Sequence, residues 1–110
     1  MNTELPYWRS LLFVPANQDR FIDGAVKRNA DAYVLDLEDS VPLSEKAATR
    51  DGLRNAVSRL SSSGLEVLVR INRPWRLALR DIEASVSEGV TALALPKVPD
   101  PGYVLSLIHI

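Results

Sequence analysis

The chain has 110 residues, of which 46% are hydrophobic and 25% are charged, and its formal net charge is −1. This balance is typical of one soluble globular domain. The 13 basic and 14 acidic side chains are interspersed, so no basic field exists to attract nucleic acid or an anionic membrane. The sequence has no cysteine, which excludes disulfides, thiolate catalysis and Cys-ligated zinc, and its single histidine, His109, argues against a Ser-His-Asp triad.

The first residues show neither the basic region nor the apolar stretch of a secretory signal. No apolar run approaches the roughly 20 residues that a bilayer-spanning helix needs. We therefore expect a soluble, cytoplasmic protein without membrane or nucleic-acid partners.

Four short apolar runs alternate with segments of helical periodicity. The runs cover residues 9–14, 32–37, 66–71 and 91–96 and are apolar on both faces, which is typical of parallel strands covered on both sides. The predicted helices cover residues 18–28 with Asn17 as N-cap, residues 44–60, and residues 76–88 with Gly89 just after the C-terminus. Their apolar stripes are Phe21, Ile22, Ala25 and Val26; Leu53, Ala56, Val57 and Leu60; and Leu79, Ile82 and Val86.

This alternation, with right-handed crossovers, predicts an α/β fold built on a parallel sheet. Two architectures fit it: a small doubly wound sheet, or parallel β/α units forming the first half of a (β/α)₈ TIM barrel, which takes roughly 250 residues when complete. Periodicity alone does not choose between them. In either architecture the functional residues lie at the C-terminal ends of the strands.

An acidic cluster follows the second strand. Side-chain alternation places Asp36 and Glu38 on one face and Asp39 on the other. Carboxylates this close repel one another, so we expect a cation or a basic side chain between them, and Arg70 at the end of the third strand is the candidate. A simpler interpretation is that Asp39 and Ser40 begin a turn and Glu38 is solvated.

Arg70 interrupts an otherwise apolar strand, where an unpaired guanidinium would be costly. Its planar fork suits a carboxylate, which predicts an α-keto acid or dicarboxylate substrate. The alternative is a structural salt bridge to Asp36 or Glu38. The spacing leaves both open.

The remaining basic candidates are weaker. Lys97, after the fourth strand, is a candidate for binding phosphate or for pairing with Glu38, although a surface lysine is the commoner explanation. Arg9 and Arg20 are lone candidates for the anionic phosphates of a large cofactor. No glycine-rich phosphate-binding loop is present.

Five segments, taken in order, resemble the citrate lyase β-subunit family of the aldolase/citrate lyase superfamily. They are RSLLFVP (residues 9–15), DAYVLDLEDSV (31–41), KAATR (46–50), VRIN (69–72) and LPKV (95–98). Each motif is weak alone, but their order and spacing together are specific and extend over nearly the whole chain.

The resemblance implies a TIM barrel that cleaves or forms a carbon–carbon bond in acyl-CoA thioesters such as citryl-CoA or malyl-CoA. It implies a Mg²⁺ ion that is chelated by the keto acid and stabilises an enolate. The family's substrate-binding arginine corresponds to Arg70, and its acidic segment near the metal corresponds to Asp36, Glu38 and Asp39, so these four residues are predicted to be catalytic.

The resemblance also predicts where the CoA thioester binds. The segment that holds CoA in the family corresponds to Phe13, Pro15, Asn17 and Arg20, and Lys97 is predicted to contribute. No metal ligand is predicted within the chain, because the family's Glu and Asp ligands lie on later strands, beyond residue 110. The full-length protein is expected to be a homo-oligomer.

The sequence departs from the family pattern at Ala16, where a glycine is usual, and at Pro99, where an acidic residue is usual. Residues 105–110 do not resemble the family's next helix. We expect the barrel half to span residues 1–104. The tail is either a diverged form of that helix or foreign sequence appended by truncation, and we favour the second. Such a half barrel, with open edges, is expected to be poorly stable or oligomeric and catalytically inert.

Two competing functions stay open at this point. One is a class II pyruvate-type aldolase of the same superfamily, which needs no CoA; a histidine after Glu38 would favour it, whereas this chain has Asp39. The other is a non-catalytic binding fragment.

Overall fold

A computed structural model of the protein describes residues 5–109. The strands are β1 (Leu11–Pro15), β2 (Ala32–Asp36), β3 (Val67–Arg70) and β4 (Val90–Ala94). The helices are α1 (Asp19–Ala25), α2 (Lys46–Asp51), α3 (Leu53–Ser61), α4 (Trp75–Ser85) and α5 (Pro101–Ile108), and a 3-10 turn at Leu43–Glu45 precedes α2. Among the described residues, no helix is long and apolar enough to cross a bilayer.

The four strands form one parallel sheet in the order β1-β2-β3-β4, with helices in the connections between them. This confirms the predicted α/β fold. The register places Pro15 beside Asp36 and Asp36 beside Arg70, so the ends of three neighbouring strands meet at one edge. The polar residues predicted at the C-terminal ends of the strands therefore lie along one edge of the sheet, which we call the rim.

The two faces of the sheet bury different residue sets, as expected from strand alternation. On the face toward α1, α3 and α4, residues of the strands and of the positions just after them pack into one core with helix residues. They are Val14, Tyr33, Leu35, Leu37, Val67, Val69 and Ile71 on the sheet, and Ile22, Ala25, Leu53, Ala56, Val57, Leu60 and Ala78 on the helices. On the other face, the smaller residues Ala32, Val34 and Leu68 pack with Trp8, Ala92 and Ala94. Both faces of β2 are covered, which agrees with the apolar run from Ala32 to Leu35.

The first predicted helix is shorter than expected. Gln18 occupies the N-cap without a side-chain hydrogen bond, so the prediction of Asn17 as N-cap is wrong. Its seven residues turn only Ile22 and Ala25 fully into the core, whereas Phe21 and Val26 stay 45% and 49% exposed. A helix this short has room for little more than one buried turn.

The second predicted helix is two helices divided at Gly52, which caps the end of α2 and the start of α3. Its predicted apolar stripe is confirmed, because Leu53, Ala56, Val57 and Leu60 are all buried. The tail residues 105–108 lie in α5. A foreign origin of residues 105–110 stays a prediction.

The third predicted helix ends at Ser85, with Val86 at the C-cap, so the prediction of Gly89 as its C′ residue is wrong. Of the predicted stripe, Ile82 packs partly buried against the core, whereas Leu79 and Val86 are exposed. The fully buried positions are Ala78, Asp81 and Ser85. The helix therefore turns a partly polar stripe toward the sheet.

Gly89 has another role, because it enters β4 with φ of +98°, and a Cβ there would lie 2.9 Å from Ser61 Oγ and 3.2 Å from Val57 Cγ1. We predict that Gly89→Ala lowers the free energy of unfolding by about 1–3 kcal/mol through backbone strain and this clash. The matched control is Gly24→Ala in α1, where a Cβ meets nothing within 4 Å. That variant should gain roughly 0.5–1 kcal/mol in urea unfolding. Equal effects of the two substitutions would contradict the prediction.

Candidate functional site

Asp36, the last residue of β2, is the most completely bonded side chain at the rim. Arg70 donates to both carboxylate oxygens, from Nε to Oδ1 and from Nη2 to Oδ2, each at 2.8 Å. The Glu38 amide donates to Oδ1 at 2.9 Å. Ser40 donates to Oδ2 from its amide at 3.0 Å and from its hydroxyl at 2.7 Å. Both oxygens are thus fully occupied inside the chain.

Burial alone would raise the pKa of Asp36, but the hydrogen bonds from Arg70, Ser40 and the two amides reverse this and hold the pKa well below its usual range. Arg70 correspondingly has a raised pKa, because Asp36 accepts from it. Since the side chain of Asp36 is only 2% exposed, an ionised carboxylate there depends on these donors.

Two contacts fix the orientation of the Arg70 guanidinium. The bidentate bond to Asp36 sets the plane of the guanidinium, and the Phe13 ring lies 4.6 Å from the guanidinium carbon, a cation–π distance. Nε is also 3.6 Å from Glu38 Oε1. Within residues 5–109, Nη1 donates no hydrogen bond, and the side chain keeps 23% of its surface exposed. The predicted pairing of Arg70 with the acids is confirmed.

Lys97 joins the other two acids of the cluster. Its ammonium pairs with Glu38 Oε2 and lies 3.0 Å from Asp39 Oδ1. The backbone of Lys97 has φ of +48°, an uncommon conformation for a residue other than glycine, and it aims the side chain across the rim. The predicted alternative that Lys97 pairs with Glu38 is confirmed.

The prediction that Asp39 faces away from Glu38 is wrong, because both carboxylates converge on Lys97. Strand β2 ends at Asp36, so alternation does not continue into the loop. The loop itself is a turn, closed by the bonds of Ser40 to Asp36 and of the Val41 amide to the Glu38 carbonyl at 3.2 Å. The predicted turn and the acidic cluster are therefore the same structure.

Four residues behind the acidic loop were not predicted as site residues; two of them bind its backbone and the other two support that contact. Lys46 Nζ donates to the carbonyls of Leu37 and Glu38, at 2.9 and 2.8 Å. Asn72 Nδ2 donates to the Leu37 carbonyl at 3.0 Å and to Asp81 Oδ2 at 2.7 Å. Arg50 Nε donates to Asp81 Oδ1 at 3.0 Å. The sequence offered one sign of this group, an aspartate (Asp81) placed at helical spacing between Ala78 and Ser85 on the buried side of α4.

The predicted cofactor-binding residues are divided among four places. Phe13, Pro15 and Arg20 line one cleft of about 550 Å³ between β1 and α1, which Arg28 also borders. Asn17 lies in a different cleft and donates to Glu45 Oε1 at 3.2 Å. Lys97 lies with the acids, and Arg9 is an exposed partner of Asp31. Only the first three are brought together.

The described residues do not by themselves fit a metal centre. Within residues 5–109, no group of three or more His, Cys, Asp or Glu side chains is arranged to hold an ion. Asp36 is saturated, and Lys97 occupies one oxygen each of Asp39 and Glu38. The other oxygen, Glu38 Oε1, is buried without a hydrogen-bond partner, but the positive Arg70 Nε lies 3.6 Å away.

The sequential strand order, with α1, α3 and α4 packed on one face of the sheet, defines an α/β protein of the TIM-barrel type, since a doubly wound sheet has helices on both faces. The sequence model of the HpcH/HpaI aldolase/citrate lyase family matches residues 9–109, and the chain belongs to this family.

Curated relatives agree with the family. Citrate lyase subunit beta of Escherichia coli strain K12 is 34% identical over 102 residues, which are 90% of this chain and 33% of that protein. A (3S)-malyl-CoA thioesterase of Cereibacter sphaeroides (strain ATCC 17029) is 32% identical over 94 residues, which are 83% of this chain and 32% of that protein. The chain thus spans about a third of the length of these relatives.

Solved structures agree with the fold. Protein CitE of Mycobacterium tuberculosis in complex with magnesium and pyruvate superposes with a TM-score of 0.68 at 34% identity, over 88% of this chain and 39% of that one. The same protein in complex with magnesium, acetoacetate and coenzyme A gives a TM-score of 0.66 at 34% identity, over 88% and 35%. The predicted TIM-barrel type of fold is confirmed.

The depressed pKa of Asp36 predicts an acid-sensitive fold. In the window from its unfolded pKa of about 3.9 down to its lower folded pKa, the unfolded state binds more protons, so stability is present above that window and lost as the pH falls through it. We predict that Asp36→Asn lowers the free energy of unfolding at neutral pH by about 3–5 kcal/mol, because Arg70 loses its buried partner, and flattens this acid limb. Urea unfolding across a pH series measures both.

The matched control for this measurement is Asp51→Asn, because Asp51 is an exposed carboxylate at the end of α2. Its acid limb should follow the wild type. A wild-type slope in Asp36→Asn would contradict the ionised Asp36–Arg70 pair.

Proposed function

We propose that the protein is a Mg²⁺-dependent carbon–carbon lyase acting on acyl-CoA thioesters of the citryl-CoA or malyl-CoA type, and that this chain supplies its carboxylate-binding arginine. Membership of the HpcH/HpaI aldolase/citrate lyase family and the names of the relatives support this reaction class. The observation that carries the proposal is the guanidinium of Arg70, fixed by Asp36 yet with Nη1 unused by the described residues.

A guanidinium in this state suits recognition of an organic acid. Its orientation is already set by Asp36 and Phe13, so little rotamer entropy is lost when a carboxylate accepts from Nη1. The acid would lie at the carboxyl edge of the sheet, the functional side of this architecture. The direct catalytic roles of Asp36, Glu38 and Asp39 stay predictions, and saturation of Asp36 favours an orienting role for that residue.

The charge balance of the rim supports a divalent cation. The ionised side chains of Asp36, Glu38 and Asp39 carry a charge of −3. Those of Arg70, Lys97 and Lys46 carry +3. The net charge of the rim is therefore zero, and it has no excess positive charge to attract an anionic acid. The Mycobacterium tuberculosis structures named above contain magnesium. When bound, Mg²⁺ would polarise the keto-acid carbonyl as a Lewis acid. We propose that its ligands come from residues beyond 110.

The cleft between β1 and α1 is our candidate for the CoA chain. Phe13 and Pro15 give it an apolar wall, and Arg20 gives it a positive edge for phosphate. A solved neighbour contains coenzyme A, which supports CoA over the CoA-independent pyruvate-type aldolase. Contributions of Asn17 and Lys97, a cytoplasmic location and a homo-oligomeric state stay predictions.

The activity test uses the full-length protein that carries this chain, with citryl-CoA or malyl-CoA and Mg²⁺. We predict that Arg70→Lys lowers kcat/KM about 10- to 100-fold, because one charge-assisted hydrogen bond is worth about 1.5–3 kcal/mol. The matched control is Arg54→Lys on the exposed side of α3, which should keep wild-type kinetics. Absence of carbon–carbon cleavage by the wild type, or a kcat/KM of Arg70→Lys within twofold of it, would contradict the proposal.

The CoA cleft has a separate test that needs no turnover. We predict that Arg20→Ala weakens the binding of free coenzyme A about tenfold in calorimetry, with a smaller difference at high salt, since an exposed arginine–phosphate contact is screened. Arg54→Ala is the control. Equal affinities of the Arg20→Ala and Arg54→Ala proteins would remove Arg20 from the site.

A further inference from the structure

Lys46, the first residue of α2, lies behind the acidic loop and binds its backbone. Two carboxylates, Glu38 and Asp39, lie on that loop and a third, Asp36, ends β2 just before it, yet Lys46 pairs with none of the described acids within 4.0 Å. Its ammonium donates instead to two consecutive carbonyls, Leu37 at 2.9 Å and Glu38 at 2.8 Å. The side chain is partly buried, and this desolvation lowers the pKa of Lys46. A costly partly buried cation is thus used to hold main chain.

The same stretch of main chain is held from two further elements. Asn72, after β3, donates to the Leu37 carbonyl at 3.0 Å, and its own position is set by the buried Asp81 of α4. The Leu37 amide donates to the Arg70 carbonyl at 3.0 Å. The loop therefore has a rigid anchor at Leu37, and Lys46 extends this anchor by one residue, to Glu38.

The two carboxylate oxygens of Glu38 have different surroundings, so the orientation of this side chain matters. Glu38 must hold Oε2 against Lys97 while Oε1 stays buried beside Arg70. The direction of the side chain follows from its backbone, which is held at the amide by Asp36 Oδ1 and at the carbonyl by Lys46. Without the ammonium, that carbonyl keeps the Val41 amide at 3.2 Å, and the Leu37 carbonyl keeps Asn72. Loss of Lys46 should therefore loosen the loop without unfolding the protein.

We propose that Lys46 is a positioning residue for the lyase site, which sets the orientation of Glu38 relative to Arg70 through the two carbonyls. The inference rests on the proposed function for its catalytic consequence, although its structural part stands alone. Lys46 touches no reacting atom in this assignment. Its contribution is geometric, and a displacement of about 1 Å at a reacting group is enough to slow an enzyme about 100-fold.

The test compares Lys46→Met, Lys46→Arg and the matched control Lys27→Met in the full-length protein. Lys27 is exposed beyond the end of α1. We expect Lys46→Met to lower kcat about 10- to 100-fold with KM changed less than twofold, whereas Lys27→Met keeps both constants. Lys46→Arg, which keeps a cationic donor, should recover part of kcat. Added n-propylammonium should likewise restore turnover to Lys46→Ala but not to Arg70→Lys.

A second readout is independent of turnover. Hydrogen exchange at the amides of Glu38, Ser40 and Val41 should accelerate at least tenfold in Lys46→Met and stay unchanged in Lys27→Met. If the wild type lacks lyase activity, the proposed function fails and the exchange result alone decides the positioning role. Unchanged exchange, or an unchanged kcat per folded molecule in an active enzyme, would overturn the inference.

Discussion

The bidentate bond between Arg70 and Asp36 is the interaction on which the rest of the site depends. It exists because β2 and β3 are parallel neighbours whose register places these two residues side by side. A slip of one residue would turn one partner onto the helix-covered face, among Leu35, Leu37 and Val69. An unpaired charge there would cost several kcal/mol, so the ion pair and the hydrophobic pattern favour the same register.

Some side chains at the rim have all their hydrogen bonds made within the chain, and others keep an atom without a partner. The first kind supports the site, and the second kind can contact a ligand. Asp36 and Asp81 have their oxygens occupied by donors from within the chain. Arg70 Nη1 and Glu38 Oε1, in contrast, have no hydrogen-bond partner among residues 5–109. One is a donor and the other a buried acceptor, and they belong to side chains whose nearest charged atoms are 3.6 Å apart. The free donor Nη1 is suited to the carboxylate of an organic acid, whereas Glu38 Oε1 is itself an acceptor and is balanced by the charge of Arg70 rather than by such a ligand.

The sequence predicted what depends on local pattern and missed what depends on distant partners. The runs that are apolar on both faces predicted all four strands, and the apolar stripe from Leu53 to Leu60 predicted which face of α3 is buried. The ion pair of Arg70 followed from the cost of a lone guanidinium. Asp81 was missed because its burial is tolerated only through Arg50 and Asn72, which lie 31 and 9 residues away. Asp39 was misplaced because alternation ends where the strand ends, at Asp36.

The most direct measurement is a crystal structure of the full-length protein with Mg²⁺ and a bound keto acid such as acetoacetate. We expect a carboxylate oxygen of the acid within hydrogen-bonding distance of Arg70 Nη1, with the bidentate bond to Asp36 intact beneath it. An acid bound elsewhere, or an Arg70 that must leave Asp36 to reach it, would show that the fixed guanidinium is not the binding group.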